Sequence, residues 1–436
     1  MGGALARYLH SFTGFGRDAR LFLLTTLVFG AALSLYWIDF NLYLEAIGID
    51  RTTIGWLMAA SQLAGVVVAL PASAISNRIG RRPVMAAGMA LVAVALFAFL
   101  PGRLSLLFVG VVAMGAGTQM VYVVQVPYIA EHTRPEQRNE YFATWSALGN
   151  VTALVSALLG GAVATELATR FGLTSAAAPY QILLAGVAIL GVLSFGTVYL
   201  LSSDRPVLPA LASERRGGRF GIEISDRGLF FKLLLPGFIT ALGAGQLIPF
   251  LNLFVQGKFG LDLAAVNAVF AVTSLGTTLA ILAQPALARR FGRIGSIVLV
   301  QGTSIPFLVV LGFSPVLWTV VGAMTVRNSL MNAGSPIFDA FAMDRVSPAE
   351  RATVSAAMTL LWALGWTIAP LYYGLLQAKL GFTAGYAVDF VTIIVLYTVS
   401  TWLLWHWFRG TDHTTASDAP MTTPIPVEAP TLLEHA

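Results

Sequence analysis

Arg327 stands in the middle of an apolar run at 315–341. A guanidinium at the centre of a bilayer costs about 2.5–3.5 kcal/mol even on the most lenient insertion scale. It must face a wet cavity or a partner, and Asp39, late in the apolar run at 20–44, is the obvious partner. Two chemistries are open. In one, Arg327 clamps an anionic or polar substrate and Asp39 is a protonatable or substrate-binding carboxylate. In the other, the two form a structural ion pair. The remaining candidates are polar residues inside other apolar runs. Tyr36, Asn41 and Tyr43 accompany Asp39, and Tyr36, Asp39 and Tyr43 share a face by their three- and four-residue spacing. Gln119, Tyr122 and Gln125 recur every third residue in the run at 104–130. Gln246 and Asn252 lie in the run at 229–256, and Asn328, Asn332 and Asp339 lie beside Arg327. The amides line a cavity or bond helix to helix. Asp339 reads as an interfacial carboxylate near loop arginines, and Asp389 as a residue near the interface. Trp145, Trp362 and Trp366 read as packing or interface anchors, with a cavity-facing stack of Trp362 and Trp366, four residues apart, as the alternative. The chain has no cysteine, which excludes disulfides, thiolate metal sites and a cysteine nucleophile. None of its five histidines lies mid-membrane, so no metal centre or cofactor is expected beyond a coupling proton.

The elements that must position these residues follow from hydropathy. The chain of 436 residues is 57% hydrophobic and 11% charged, against roughly 25% charged in soluble domains. Its mean hydropathy is +0.77. Twelve runs approach the ~20 apolar residues that a helical span needs: 20–44, 53–76, 83–101, 104–130, 139–165, 179–201, 229–256, 264–288, 294–313, 315–341, 352–378 and 383–408. The first is too long for a signal-peptide core and reads as helix one. The expected fold is an all-α membrane protein with twelve transmembrane helices in two six-helix bundles, 1–201 and 229–410. A charged, Pro-containing linker at 202–228 joins them, and the Thr- and Pro-rich tail at 411–436 is expected to be disordered. With the N-terminus inside, 20 of the 26 Lys and Arg fall in inside segments and five outside, leaving Arg327 in its span. That bias places both termini in the cytoplasm of a bacterial-type inner (plasma) membrane. Net charge of +5 is spread over short loops, so nucleic acid is not a partner.

Two further patterns narrow the class. The turn Ser73 to Met85 holds Arg78, Arg81 and Arg82 around Gly80, between two spans. The halves also echo each other. Asn41 precedes Gly80 by 39 residues, and Asn252 precedes Gly292 by 40. Pro135–Arg138 pairs with Pro348–Arg351, and the Trp145 and Trp362 segments follow in the same order. The turn resembles the Gly-x-x-x-Asp-Arg-x-Gly-Arg-Arg/Lys signature of the major facilitator superfamily, with Ser73 for Gly and Asn77 for Asp. Parallel halves related about the membrane normal are a property of that family.

The resemblance implies a monomeric secondary transporter, not an enzyme, that moves a small-molecule substrate by alternating access within the lipid bilayer. Helices one, four, seven and ten would line the cavity, and three, six, nine and twelve would face lipid. Arg78, Gly80, Arg81 and Arg82 would form a conformational loop, with the latch that the family builds on its Asp in doubt at Asn77. Proton-linked exporters of the family carry an Arg where Val111 stands. They also carry a Gly-Pro motif of which only Gly160-Gly161 remains, which weakens the antiporter reading. Proton-coupled export of an amphipathic compound is favoured, with Asp39 carrying the proton. Uptake of a sugar or organic acid by symport or uniport, with Arg327 meeting a carboxylate, is the alternative. A membrane receptor or a membrane-embedded enzyme is the alternative of another class.

Overall fold

The structure is a computed structural model describing residues 15–134, 137–202, 226–276, 293–347 and 350–409, without the side chains at 138, 139, 143, 146, 293, 332–337, 340 and 352. The elements are helices. The first half contains α1 Arg17–Ala46, α2 Arg51–Ile79, α3 Arg81–Phe99, α4 Leu104–His132, α5 Arg138–Arg170 and α6 Ala178–Val198. The second begins with α7 Arg227–Phe259, bent by a 3-10 turn at Ile248–Phe250. There follow α8 Leu263–Gly276, α9 Arg293–Phe313 and α10 Leu317–Arg345. The helix Arg351–Phe408 breaks at Gly381, whose φ of 71° is left-handed, into α11 (351–380) and α12 (382–408). The spans read from hydropathy are thus met in order. The rest of the eighth run, the second basic turn at 288–293, most of the linker and the tail lie outside the described residues.

Nine of the described helices, counting α11 and α12 as one, are long and apolar enough to cross a membrane. By its sequence, α10 falls short because it carries Arg327, Asn328, Asn332 and Asp339. Apolar residues such as Val94, Val109 and Leu193 are exposed, as a lipid-facing surface requires. Local chemistry sets the helix ends. The Asp50 carboxylate caps α2, accepting from the Thr53 hydroxyl at 2.6 Å and its N–H at 3.0 Å. Those bonds, the hydroxyl's first, hold the Asp50 carboxyl below its ordinary value. Gly80, buried at φ 98°, turns α2 into α3 with no intervening loop.

Within the first bundle α1 packs on α5 and α6, and α4 on α2 and α3; within the second, α7 packs on the α11–α12 pair and α9 on α10. The bundles meet along α2 and α11 at the end that carries the turn at 47–50. There the backbones touch. A side chain at Gly55 would overlap the Pro370 carbonyl, and one at Gly374 would come within 2.9 Å of Thr52 Cα. The Thr52 hydroxyl donates to the Gly374 carbonyl at 3.2 Å. Further along the two helices, Leu70 and Ala74 of α2 and Ala356 and Leu360 of α11 are exposed. The seam is thus closed at this end, and among the described residues no hydrogen bond joins α2 to α11 nearer the basic turn.

This crossing predicts a stability effect. Gly55→Leu should cost about 1–3 kcal/mol through overpacking against backbone, lowering the melting temperature in detergent. Gly186→Ala, where the added methyl meets nothing within 4 Å, should melt as the parent does.

Candidate functional site

The closed end is held by two asparagines at equivalent places in the two halves. Asn41 Nδ2 of α1 donates to the Pro249 carbonyl of α7 at 2.6 Å, and Asn252 Nδ2 of α7 donates to the Ile38 carbonyl of α1 at 2.5 Å. Each amide therefore reaches the carbonyl three residues before the other asparagine. The bend in α7 prepares this. Leu253 N–H bonds the Asn252 side-chain oxygen at 2.8 Å, and the Pro249 carbonyl, four residues before it, takes the partner helix. Nearby, Gln256 Nε2 of α7 donates to the Tyr180 hydroxyl of α6 at 2.5 Å.

Asp39 lies in the same interface and is buried. Its Oδ1 accepts from Asn267 Nδ2 of α8 at 2.7 Å, and its Oδ2 has no partner among the described residues. Leu35, Tyr180, Leu183 and Leu184 surround it, beside a space of about 10 Å³ that admits no solute. Tyr36 reaches Ser61 of α2, and the Tyr43 hydroxyl donates to the Phe99 carbonyl at 2.7 Å.

The expected pairing of Asp39 with Arg327 is not made. Arg327 is buried and turns into its own half, where Nη2 donates to the Tyr397 hydroxyl of α12 at 2.8 Å and Nη1 to Asn328 Oδ1 at 2.9 Å. The guanidinium also lies over the Tyr397 ring at 5.5 Å. Its Nε is unpartnered, and among the described residues no carboxylate lies within 4.0 Å of it. Two neutral partners, the Tyr397 phenol and the Asn328 amide, hold the guanidinium inside its own bundle, away from Asp39.

The other candidates divide. Gln246 donates to the Asp389 backbone carbonyl at 3.1 Å, which is helix-to-helix bonding and not cavity lining. Gln119 packs against Gly65 where α4 crosses α2. Tyr122 is exposed and Gln125 half-buried. The side chain of Asn332 lies outside the described residues. Trp145 donates to the Thr26 hydroxyl at 3.0 Å, a packing role. In the basic turn Arg81 donates to Asn77 Oδ1 at 2.8 Å and pairs with Glu131 of α4 at 3.1 Å. Glu131 thus supplies the carboxylate that Asn77 lacks. Arg82 caps the end of α6 through the Val198 and Tyr199 carbonyls at 3.2 and 2.8 Å. Arg78 stays exposed.

A cavity of about 360 Å³ lies inside the second half, between α7, α9, α10, α11 and α12. Leu234, Phe238, Met331, Phe338, Met358 and Trp362 form apolar walls. One wall carries a polar cluster that the sequence reading missed. Gln301 Nε2 donates to the Thr240 and Ser400 hydroxyls at 3.1 and 3.3 Å, and Ser400 donates to the Pro236 carbonyl at 2.9 Å. Asp339 lines the cavity and is exposed. Arg327 and Tyr397 are buried one helical turn from Met331 and Ser400, which line the cavity. Polar residues in runs assigned to lipid-facing helices were the available signal for Gln301, Tyr397 and Ser400.

Two neutral amide bonds of about 1 kcal/mol each predict a graded response at the closed end. Asn41→Ala and Asn252→Ala should each raise the fraction open there by roughly fivefold. Modification rates of a cysteine placed at Ile38 in this cysteine-free chain check it.

The profile of the Major Facilitator Superfamily matches residues 22–370 and again 233–428. A search of curated protein sequences returns no match. Among solved structures, a bacterial homologue of the human lysosomal transporter Spinster, inward-facing and occupied, aligns at 14% identity. That alignment has a TM-score of 0.68 and covers 89% of this chain and 95% of that one. The nucleoside transporter NupG aligns at 15% identity with a TM-score of 0.70, over 90% of this chain and 100% of that one. A D-xylose–proton symporter aligns at 13% identity with a TM-score of 0.70, over 91% and 97%. Likeness at such identities is a likeness of fold, and the profile match supplies the family. With its membrane-spanning helices and two packed halves, the chain is an integral membrane protein of the secondary-transporter type and belongs to the Major Facilitator Superfamily.

Proposed function

We propose that the chain exports a small amphipathic compound by alternating access, coupled to protons through Asp39. The observation that carries this reading is the cavity of the second half. Its volume of about 360 Å³ falls in the range of small-molecule sites, and apolar walls with a few convergent polar groups are what such sites present. Apolar contacts hold the body of the ligand. Gln301, Thr240 and Ser400 meet a polar group, and the exposed Asp339 favours a cationic one.

The cavity lies towards the end that carries the basic turn, by the chain positions of Leu233, Asp339 and Leu404. The excess of Lys and Arg in the segments at that end supports a cytoplasmic placement, with both termini and the 202–228 linker inside and the bundles at 1–201 and 229–410 in an inner membrane. Substrate then enters from the cytoplasm while the far end is shut, the order that export needs. The lack of a carboxylate partner at Arg327 favours a second reading, uptake of an organic acid whose carboxylate reaches that guanidinium.

Thermal-shift titration of the purified protein tests the substrate class, since a ligand raises apparent stability by mass action. Lipophilic cations should stabilise the parent. Asp339→Asn should weaken them roughly tenfold, the scale of one charge-assisted contact, while sparing neutral analogues. Stabilisation by organic acids alone, lost in Arg327→Gln, would instead establish the second reading.

Coupling has its own test. The Oδ2 atom of Asp39 is free to hold a proton, and Oδ1 is bound across the interface to Asn267, so its protonation and the closure of that end act on one carboxyl. Asp39→Asn in reconstituted vesicles should abolish pH-gradient-driven accumulation while leaving counterflow within a few-fold of the parent. Undiminished gradient-driven accumulation would remove Asp39 from the coupling.

A further inference from the structure

A second buried carboxyl is tied to the closed end by an unbroken chain of hydrogen bonds. Asp389 of α12 is fully buried. Its Oδ2 accepts from Gln377 Nε2 of α11 at 3.2 Å, and its Oδ1 has no partner among the described residues. The other end of the same amide faces the opposite half, where Gln377 Oε1 accepts from Arg51 Nη1 of α2 at 3.1 Å. Arg51 is fixed in turn by Glu45, which accepts from its Nε at 3.1 Å and its Nη2 at 2.5 Å. The guanidinium lies over the Phe382 ring at 4.9 Å. One amide therefore joins an acid inside the second half to a cation anchored in the first.

We infer that Asp389 is a second proton-carrying group of the transport cycle, and that its proton loosens the closed end through Gln377 and Arg51. A hydrogen bond to a carboxylate is roughly twice as strong as one to a neutral carboxyl. The charged acid therefore pins the Gln377 amide with its oxygen aimed at Arg51. A proton on either oxygen removes that charge, the amide loses its orientation, and the contact between the halves weakens. The proton is taken up and released whole, and no other bond changes. Besides Arg51 and Glu45, the titratable groups around Asp389 are Tyr373 of α11 and Tyr386 of α12. Their hydroxyls bond each other at 2.8 Å, and Tyr386 donates to the Phe250 carbonyl at 3.2 Å. Both phenols are occupied with each other and with backbone. Gln246, from α7, touches only the Asp389 backbone carbonyl. The carboxylate at the far end of this chain of bonds, Glu45, is already held by Arg51.

This inference rests on the transporter reading, and its test needs no substrate, so its failure leaves the cavity and Asp39 untouched. Spin labels at Leu173→Cys, exposed just after α5, and Lys379→Cys, exposed at the end of α11, report the separation of the halves at the closed end in the full chain in lipid nanodiscs. Distances are taken by pulsed EPR from alkaline to acidic pH. The open fraction should rise roughly fivefold on acidification. Asp389→Asn, neutral at every pH, should hold the acid-like distribution throughout. Arg51→Gln, partly exposed and able to fold where the buried variant fails, should also open the end and flatten the pH response. Asp39→Asn should retain the part of the response that Asp389 carries. A distribution that ignores pH in the parent, or a parental pH response in Asp389→Asn, would overturn the assignment. A parental response in Arg51→Gln would overturn it equally.

Discussion

No ion pair joins the two bundles among the described residues. What joins them is a set of single hydrogen bonds: Asn41 to Pro249, Asn252 to Ile38, Asn267 to Asp39, Gln256 to Tyr180, Thr52 to Gly374 and Arg51 to Gln377. In a bilayer an exposed polar group has no water to bond, so any amide at a helix crossing must find a protein partner. Each bond contributes about 1 kcal/mol when formed. Six such bonds close one end firmly enough to define a state. Because each is weak, they can be exchanged one after another, whereas a desolvated ion pair would have to be separated at one stroke.

The charges, by contrast, stay within their own bundle. Arg81 reaches Glu131, Arg82 the end of α6, and Arg51 Glu45, all in the first half; Arg327 reaches Tyr397 in the second. The strongest interactions thus lie within each six-helix body, and the weak ones lie between the two. Arg51 is the exception. Its charge is balanced at Glu45, and its spare N–H reaches the other half without carrying an unbalanced charge there. A carboxyl that titrates near one of these weak bonds changes the balance between open and closed, which is all that coupling requires.

How much of this the sequence discloses depends on the residue. Span order, the Gly80 turn and the Asn41–Asn252 echo are legible because length, hydropathy and repetition are carried by the chain itself. The partner of Arg327 is not. Hydropathy reports the average setting of a helix and not the direction of one face. Asp39 and Arg327 look complementary because each stands out against an apolar background. Tyr397 does not stand out, since a phenol is at home in an apolar run and shows its hydroxyl only when a donor meets it. Asn267 and Gln301 are single amides in runs that hydropathy alone marks as structural or lipid-facing. A lone amide buried mid-span must be bonded to something, and that requirement is the signal the two residues carry.

The two halves share a backbone plan and differ in how they are filled. In the first, the space between α1, α4 and α5 near the basic turn is taken by aromatic rings. Phe22 stacks on Tyr128 at 5.5 Å, Phe15 meets Tyr141 edge-on at 5.1 Å, and the Tyr141 hydroxyl donates to the Ala19 carbonyl at 2.7 Å. In the second, the corresponding end holds the cavity, and its polar cluster is built from the short side chains of Thr240 and Ser400 with Gln301. A filled body resists deformation because close-packed interiors have few alternative arrangements. A hollow one can adjust to a ligand. The asymmetry is one of packing: the first half is filled next to the basic turn, while the second is hollow there and, through Gln377, accepts the hydrogen bond that Arg51 of the first half donates.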